Sequence, residues 1–282
     1  MSMTEDRGIL QKFFTPSLHR VMNAHASGAD YCGMFISAGR PRLPYSMTMS
    51  LFSKEIKKSK PVAEREVTVT VPKGPFKVKN SGTGRMNLFY QQDNMYLCLK
   101  EEGGKGLWGV PFSDPICGTA GTIDYYANGK LQILFGAGSK LYLIDRLGRF
   151  VTGFPVDLKK DILIGPAIYD FNGARRYNVL VLHKDNTIEM YNLKGQKPAS
   201  WSGIRPSEII RGLPERMIVG GNKFWVVRTS VQTLIYPFGG GQPLTAFQGD
   251  QMVLPDSEVK VVDGSAVELQ CYDGRSRTVK LK

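Results

Sequence analysis

The feature that most constrains this chain is a degenerate repeat of about 45 residues, built from a short apolar strand, a turn and a bulky aromatic. The first copy is Met95-Tyr96-Leu97-Cys98-Leu99 and ends at Trp108. The second is Leu141-Tyr142-Leu143-Ile144-Asp145, then Gly148 and Phe154. The third is Ile188-Glu189-Met190-Tyr191-Asn192, then Gly195 and Trp201, and a weaker fourth is Thr233-Leu234-Ile235-Tyr236 followed by Gly239. From Met95 to Leu141, to Ile188 and to Thr233 the intervals are 46, 47 and 45 residues. A strand-filled period of this size is what a β-propeller blade produces.

Hairpin turns punctuate the repeat. Asn128-Gly129, Asn172-Gly173, Asp185-Asn186, Asp263-Gly264 and Asp273-Gly274 each separate two apolar runs, and Gly136 to Ser139 and Gly220 to Asn222 do the same. Asn-Gly and Asp-Gly supply the positive φ angles of tight hairpins. Three or four strands per repeat give about five blades between Val67 and Lys282, the last one strand short. Val67, Val69 and Val71 alternate with threonines, a period-two strand pattern placed to complete that last blade and remove its free edge. An incomplete ring is the competing expectation. Phe154 and Trp201 each follow a turn glycine by six residues, which suggests rings wedged between neighbouring blades.

Residues 1–60 lack the repeat and read as a small α+β segment. Ile9, Leu10, Phe13 and Phe14 have helical spacing after Thr4, and Pro16 starts a second helix with Leu18, Val21 and Met22 on its apolar face and Gly28 as its stop. Tyr31 to Ser37 suits a buried strand, and Arg40 to Pro44 a turn or extended segment. Lys54, Lys57, Lys58, Lys60 and Arg65 crowd around Pro61 without an interleaved aromatic, the pattern of a solvated connector. The expected domains are thus 1–60, the α+β segment, and 61–282, the propeller.

At 282 residues the chain is long enough to bury roughly three-quarters of its unfolded surface. Its formal net charge of +12 favours anionic surfaces non-specifically, or simply reflects a solvated basic exterior. Cys32, Cys98, Cys117 and Cys271 form no Cys-x-x-Cys pair and fall in or near apolar segments, so they read as small hydrophobes and not as a disulfide framework. No run approaches the length of a transmembrane helix, and the first residues, with Glu5, Asp6 and Arg7, do not form a signal peptide.

No motif points to catalysis. Asp124 to Gly129 and Asp170 to Gly173 occupy equivalent turns, but their alternate positions are aromatic or small where calcium would need carboxylates, so plain hairpin turns are expected. Gly136-Ala137-Gly138-Ser139-Lys140 lacks phosphate-loop spacing, and Gly239-Gly240-Gly241 reads as a turn. His19 and His25 are six apart, His183 sits at a hairpin turn, and all three are expected to be structural or surface residues. There is no nucleophile elbow and no His-Glu-x-x-His. The expected set of catalytic, cofactor-binding and metal-binding residues is empty, and no cofactor is implied.

The blade pattern resembles the quinoprotein-type repeat. Asp93 to Leu99 with Gly106-Leu107-Trp108 matches its strand, turn and docking tryptophan, and Leu141 to Gly148 with Gly153-Phe154-Pro155 is similar. More narrowly, Ile123 through Gln132 and on to Pro155 resembles the C-terminal propeller-like region of a large bacterial envelope family described as a domain of unknown function. That resemblance spans roughly residues 67–282. It implies a cell-envelope or periplasmic setting and carries over no catalytic residues; members usually have a membrane anchor, which this chain lacks. The fold class expected is therefore mainly β, a propeller of about five quinoprotein-like blades with a small α+β N-terminal segment. The expected function is a non-catalytic scaffold for an unidentified protein partner. The alternatives are a polyanion-binding module and an enzyme with a site at the central funnel. A fold hosts many functions, so the step from propeller to scaffold is analogy.

Overall fold

The computed structural model describes residues 69–281 with their side chains, and the backbone of two earlier strands. The chain divides into two compact units, Met1–Val62 and Ala63–Lys282. In the first, β1 (Tyr31–Ala38) pairs antiparallel with β2 (Met47–Lys54), Tyr31 opposite Lys54 and Ala38 opposite Met47. The strand expected from Tyr31 is present; the one from Met47 was not expected, although the Arg40–Pro44 stretch, which reads as a turn or extended segment, precedes it. The helices expected over Thr4 to Gly28, the Arg40–Pro44 turn and the basic connector through Arg65 lie outside the described residues.

The second unit is a series of five blades. Blade 1 is β3 (Phe76–Lys79), β4 (Met86–Gln91), β5 (Leu97–Glu101) and β6 (Gly106–Val110), in that spatial order. Blade 2 is β7 (Ile116–Ile123), β8 (Gln132–Ala137), β9 (Lys140–Ile144) and β10 (Val156–Asp157). Blade 3 is β11 (Ile162–Tyr169), β12 (Asn178–His183) and β13 (Ile188–Asn192), with Ile204 bridging to Ile188 as a fourth position. Blade 4 is β14 (Glu215–Val219), β15 (Asn222–Arg228) and β16 (Thr233–Pro237), where the Leu244 amide donates to the Ile235 carbonyl at 2.7 Å. Blade 5 is β17 (Lys260–Val262), β18 (Ala266–Gln270) and β19 (Ser276–Lys280), with no fourth strand among the described residues. The strands carrying Tyr142 and Tyr191 are both third strands, in consecutive blades.

Period-two geometry explains why these strands are apolar runs and not alternating ones. The sheets of blades 2, 3 and 4 are covered on both faces by their neighbours, and successive side chains point to opposite faces. In β8 and β9, Ile133, Phe135, Tyr142 and Ile144 join Val78, Phe89 and Leu97 in the core between blades 1 and 2. The intervening Leu134, Leu141 and Leu143 join Ile162, Val179 and Val181 between blades 2 and 3. Leu180, Leu182, Trp225, Leu234 and Tyr236 meet between blades 3 and 4, and Val219, Phe224, Ile235, Val267 and Leu269 between blades 4 and 5. Among the described residues no equivalent cluster joins blade 5 to blade 1.

The expectation that the Val69 region completes the last blade is not met. Residues 69–75 form no strand, and Val69 and Val71 lie against the core between blades 3 and 4. Val71 and Pro72 also come within 3.0 Å of where a Cβ on Gly118 would sit, beside the first strand of blade 2. An extended segment that buries one face shows the same alternation as a ladder strand, so the pattern did not distinguish them. Blades 2 and 3 are further fused, because β7 and β11 pair parallel at Gly118 and Gly165 to make one seven-stranded sheet.

A candidate ligand pocket between blades 3 and 4

The three joints among blades 1 to 4 follow one design. After its third strand each of blades 2, 3 and 4 makes a tight turn closed by a glycine amide, Gly148 to the Asp145 carbonyl at 3.1 Å, Gly195 to the Asn192 carbonyl at 3.0 Å and Gly240 to the Pro237 carbonyl at 2.9 Å. The outer strand of the preceding blade rests on that turn. Trp108 lies 3.0 Å from the position of a Cβ on Gly148 and donates its indole N–H to the Arg146 carbonyl at 2.9 Å. Val156 stands 2.9 Å from the corresponding point on Gly195, and the Gly203 carbonyl 2.5 Å from that on Gly240. At this third joint the Ser202 amide donates to Gly239 and the Gly241 amide to Gly203.

Beside the third joint opens a pocket of about 490 Å³, within the size range of small-ligand sites. Its walls come from the link between blades 3 and 4, the turn between the second and third strands of blade 4, and the start of that blade's outer segment. Asn186 holds the link: its Nδ2 donates to the Glu208 carbonyl at 2.9 Å, and its Oδ1 accepts from the Ile210 amide at 2.7 Å. Gln232 is buried at the turn, and its Nε2 donates to Glu208 Oε1 at 2.7 Å. The Gln232 Oε1 is buried and accepts no hydrogen bond. Glu208 has no cation partner among the described residues. Tyr236 also lines the pocket; it is 1% exposed, and its hydroxyl makes no hydrogen bond among the described residues. Burial, and then the Glu208 carboxylate, push that hydroxyl's pKa up to about 12.

Arg205 stands at the rim, already committed to Glu189 at 2.6 Å. Glu189 is buried at 1% exposure and also receives Lys197 at 2.9 Å and the Trp201 indole N–H at 3.0 Å. Burial alone would raise the Glu189 pKa, but these donors outweigh it and hold the carboxyl below its ordinary value. The Gln232 Oε1 and the Glu208 carboxylate thus offer acceptor positions that no cation of the described residues fills, beside a tyrosine kept protonated at neutral pH.

The residues weighed from the sequence have structural surroundings. Asp124 accepts the Asn128 and Gly129 amides at 3.0 Å each and pairs with Arg175 at 3.1 Å, so its carboxylate is occupied. Asp170 Oδ2 accepts the Arg175 amide at 2.9 Å. Gly136 is bare because the Gly165 carbonyl would lie 2.8 Å from its Cβ, which reads the glycine as a close blade-to-blade approach. His183 is fully buried, with Nε2 2.9 Å from the Tyr191 hydroxyl and Nδ1 3.0 Å from the Asp161 carbonyl. Cys117, pushed up to about 11 by burial, is a thiol at neutral pH. Cys98, Cys117 and Cys271 are free and buried. No group of three His, Cys, Asp or Glu residues among the described residues could hold a metal. His19 and His25 lie outside the described residues. Sequence reasoning missed Glu208 and Gln232, since neither belongs to a motif and their meeting depends on how two blades abut.

No protein-family model matches the chain. No curated protein matches it in sequence. Its fold is a β-propeller. Among solved structures, the crystal structure of BBS1N in complex with ARL6DN superposes with a TM-score of 0.51 at 12% identity, covering 79% of this chain and 71% of that one. BamB from Moraxella catarrhalis superposes at 0.40 with 18% identity, covering 70% of this chain and 62% of that one. Identities this low show the fold alone. Among the described residues no helix is long and apolar enough to cross a membrane.

Proposed function

We propose that the Ala63–Lys282 unit is a non-catalytic scaffold that docks a protein partner. The observation that carries this reading is at the joint of blades 1 and 2. Leu107, Leu147 and Phe150 are 40%, 52% and 45% exposed there. They flank the contact of Trp108 with the Gly148 turn, and Phe150 stacks on Phe112 at 6.2 Å. Large apolar side chains gathered at an exposed seam are what a protein-binding surface requires. The propeller of BBS1N was solved as a complex with a protein, ARL6DN, a use of the fold that agrees with this reading. The sequence resemblance to an envelope family supports a partner in the bacterial envelope. A photo-crosslinking residue at Leu147 or Phe150, in the native host, should yield one discrete adduct that Leu107→Glu abolishes. Equal labelling from a control position at Thr278 would refute the scaffold reading.

A second reading has its own observation. A groove of about 650 Å³ is lined by Arg175, Arg176 and Lys194, with no carboxylate in its lining. It supports a polyanion partner, with binding that weakens steeply with salt. Heparin affinity unchanged by Arg176→Ala with Lys194→Ala would reject it.

A further inference from the structure

We infer that the pocket between blades 3 and 4 receives an arginine side chain presented by a protein partner, an assignment that rests on the scaffold reading and specifies its chemistry. Three observations converge. Glu208 is a carboxylate with no cation partner among the described residues, and it shares a hydrogen bond with Gln232 at 2.7 Å. Gln232 Oε1 is a buried acceptor without a donor. Tyr236, 1% exposed, contributes a hydroxyl with no hydrogen bond among the described residues. Buried polar groups left unpaired are costly, so a ligand that supplies the missing donors is favoured.

The open positions are two acceptors, a carboxylate oxygen and an amide oxygen, and a phenol hydroxyl whose oxygen can also accept. A planar guanidinium brings five N–H donors in a fixed fork and one positive charge, which suits adjacent acceptors better than the point charge of an ammonium. Leu234, Pro206 and Pro243 in the lining would cover the apolar stem of such a side chain. The rim cation, Arg205, does not fill the pocket because Glu189 holds it at 2.6 Å. The link that carries Glu208 is tied at both ends of the contact by Asn186, so the acceptors are placed before the ligand arrives.

The test uses the full chain and three capped tripeptides with arginine, lysine or citrulline at the centre, titrated by calorimetry. The arginine peptide should bind saturably below about 1 mM, and citrulline, isosteric but uncharged, about tenfold more weakly or not at all. Glu208→Gln, on a half-buried side chain, should keep the melting temperature and lose about tenfold in affinity. Tyr236→Phe should weaken binding as well, with melts to confirm that it folds. No saturable binding of the arginine peptide, equal binding of citrulline, or full affinity in Glu208→Gln would each overturn the assignment. The crosslinks at Leu147 and Phe150 are read separately. If they persist while the peptide fails, the pocket assignment falls and the scaffold stands.

Discussion

Trp201 shows how much one side chain can hold. It is 8% exposed, it belongs to the core between blades 3 and 4, and its N–H serves the buried Glu189. Trp201→Ala should therefore destabilise the fold by about 3–5 kcal/mol, the range for a large buried aromatic truncated to alanine. Trp201→Phe keeps most of the ring but leaves Glu189 one donor short, and should cost about 1–3 kcal/mol. Urea melts of both variants check this; a loss below about 1 kcal/mol for alanine would mark an exposed residue instead. His183 gives a pH signature. Burial, the dominant influence, holds its imidazole pKa below the ordinary 6.5. The unfolded chain then binds a proton that the native one refuses, so stability is complete above pH 6.5 and falls as pH drops from there towards the native pKa. Denaturation midpoints measured from pH 7.5 down to 5 should decline in the native protein and decline less in His183→Gln. The six-residue interval from turn glycine to aromatic singled out Trp201 and Phe154 alike, yet Phe154 is only half-buried, edge-on to Tyr125 at 5.6 Å. Spacing along the chain locates an aromatic relative to its own turn; how deeply it is covered depends on the neighbouring blade.

At the scale of elements, the turn after the third strand of blades 2, 3 and 4 is where each meets the blade before it. Gly240 and Gly104 occupy equivalent turns with φ of +76° and +94°, so alanine at either incurs a left-handed backbone cost of about 1–2 kcal/mol. Only at Gly240 would the new Cβ also meet a carbonyl, that of Gly203 at 2.5 Å; at Gly104 nothing lies within 4 Å. Gly240→Ala should lower the urea midpoint markedly more than Gly104→Ala, and equal losses would show that the joint contributes nothing at this point. The third strands and their turns were readable in the sequence, because a run such as Leu141-Tyr142-Leu143-Ile144 buried on both faces leaves a strong apolar mark. First strands were harder to read. β7 runs from Ile116 to Ile123, where Cys117, Gly118, Thr119 and Gly121 dilute the apolar signal ahead of the Asn128-Gly129 turn. Small residues there serve the close parallel approach of β7 to β11, a tertiary demand with no local periodicity. Blade 1 is four-stranded, although its β3 and β4 carried no repeat signal of their own.

For the whole molecule, burial is uneven along the series of blades. β8 and β12 are buried almost throughout, and their sheets are fused through β7 and β11. β17 and β19, in contrast, contain only exposed and half-buried residues, in a blade with no outer strand among the described residues. Native-state hydrogen exchange should find the β8 and β12 amides slowest and those of β17 and β19 faster by more than about tenfold, since exchange reports local opening. Uniform protection across all five blades would contradict this gradient. The number of blades could be counted from the sequence through its period, whereas whether the fifth meets the first could not, because that contact has no local pattern to announce it. The glycine turn that receives the preceding blade's outer strand gives each joint among blades 1 to 4 a direction: one blade offers a socket, the other a plug. A blade that carries its own socket on one side and its own plug on the other meets both neighbours in the same sense. A gene segment of one repeat copied or deleted among these blades would therefore keep that direction at both cuts, while the plug itself, an indole at one joint, a valine at the next and a backbone carbonyl at the third, would have to be refitted.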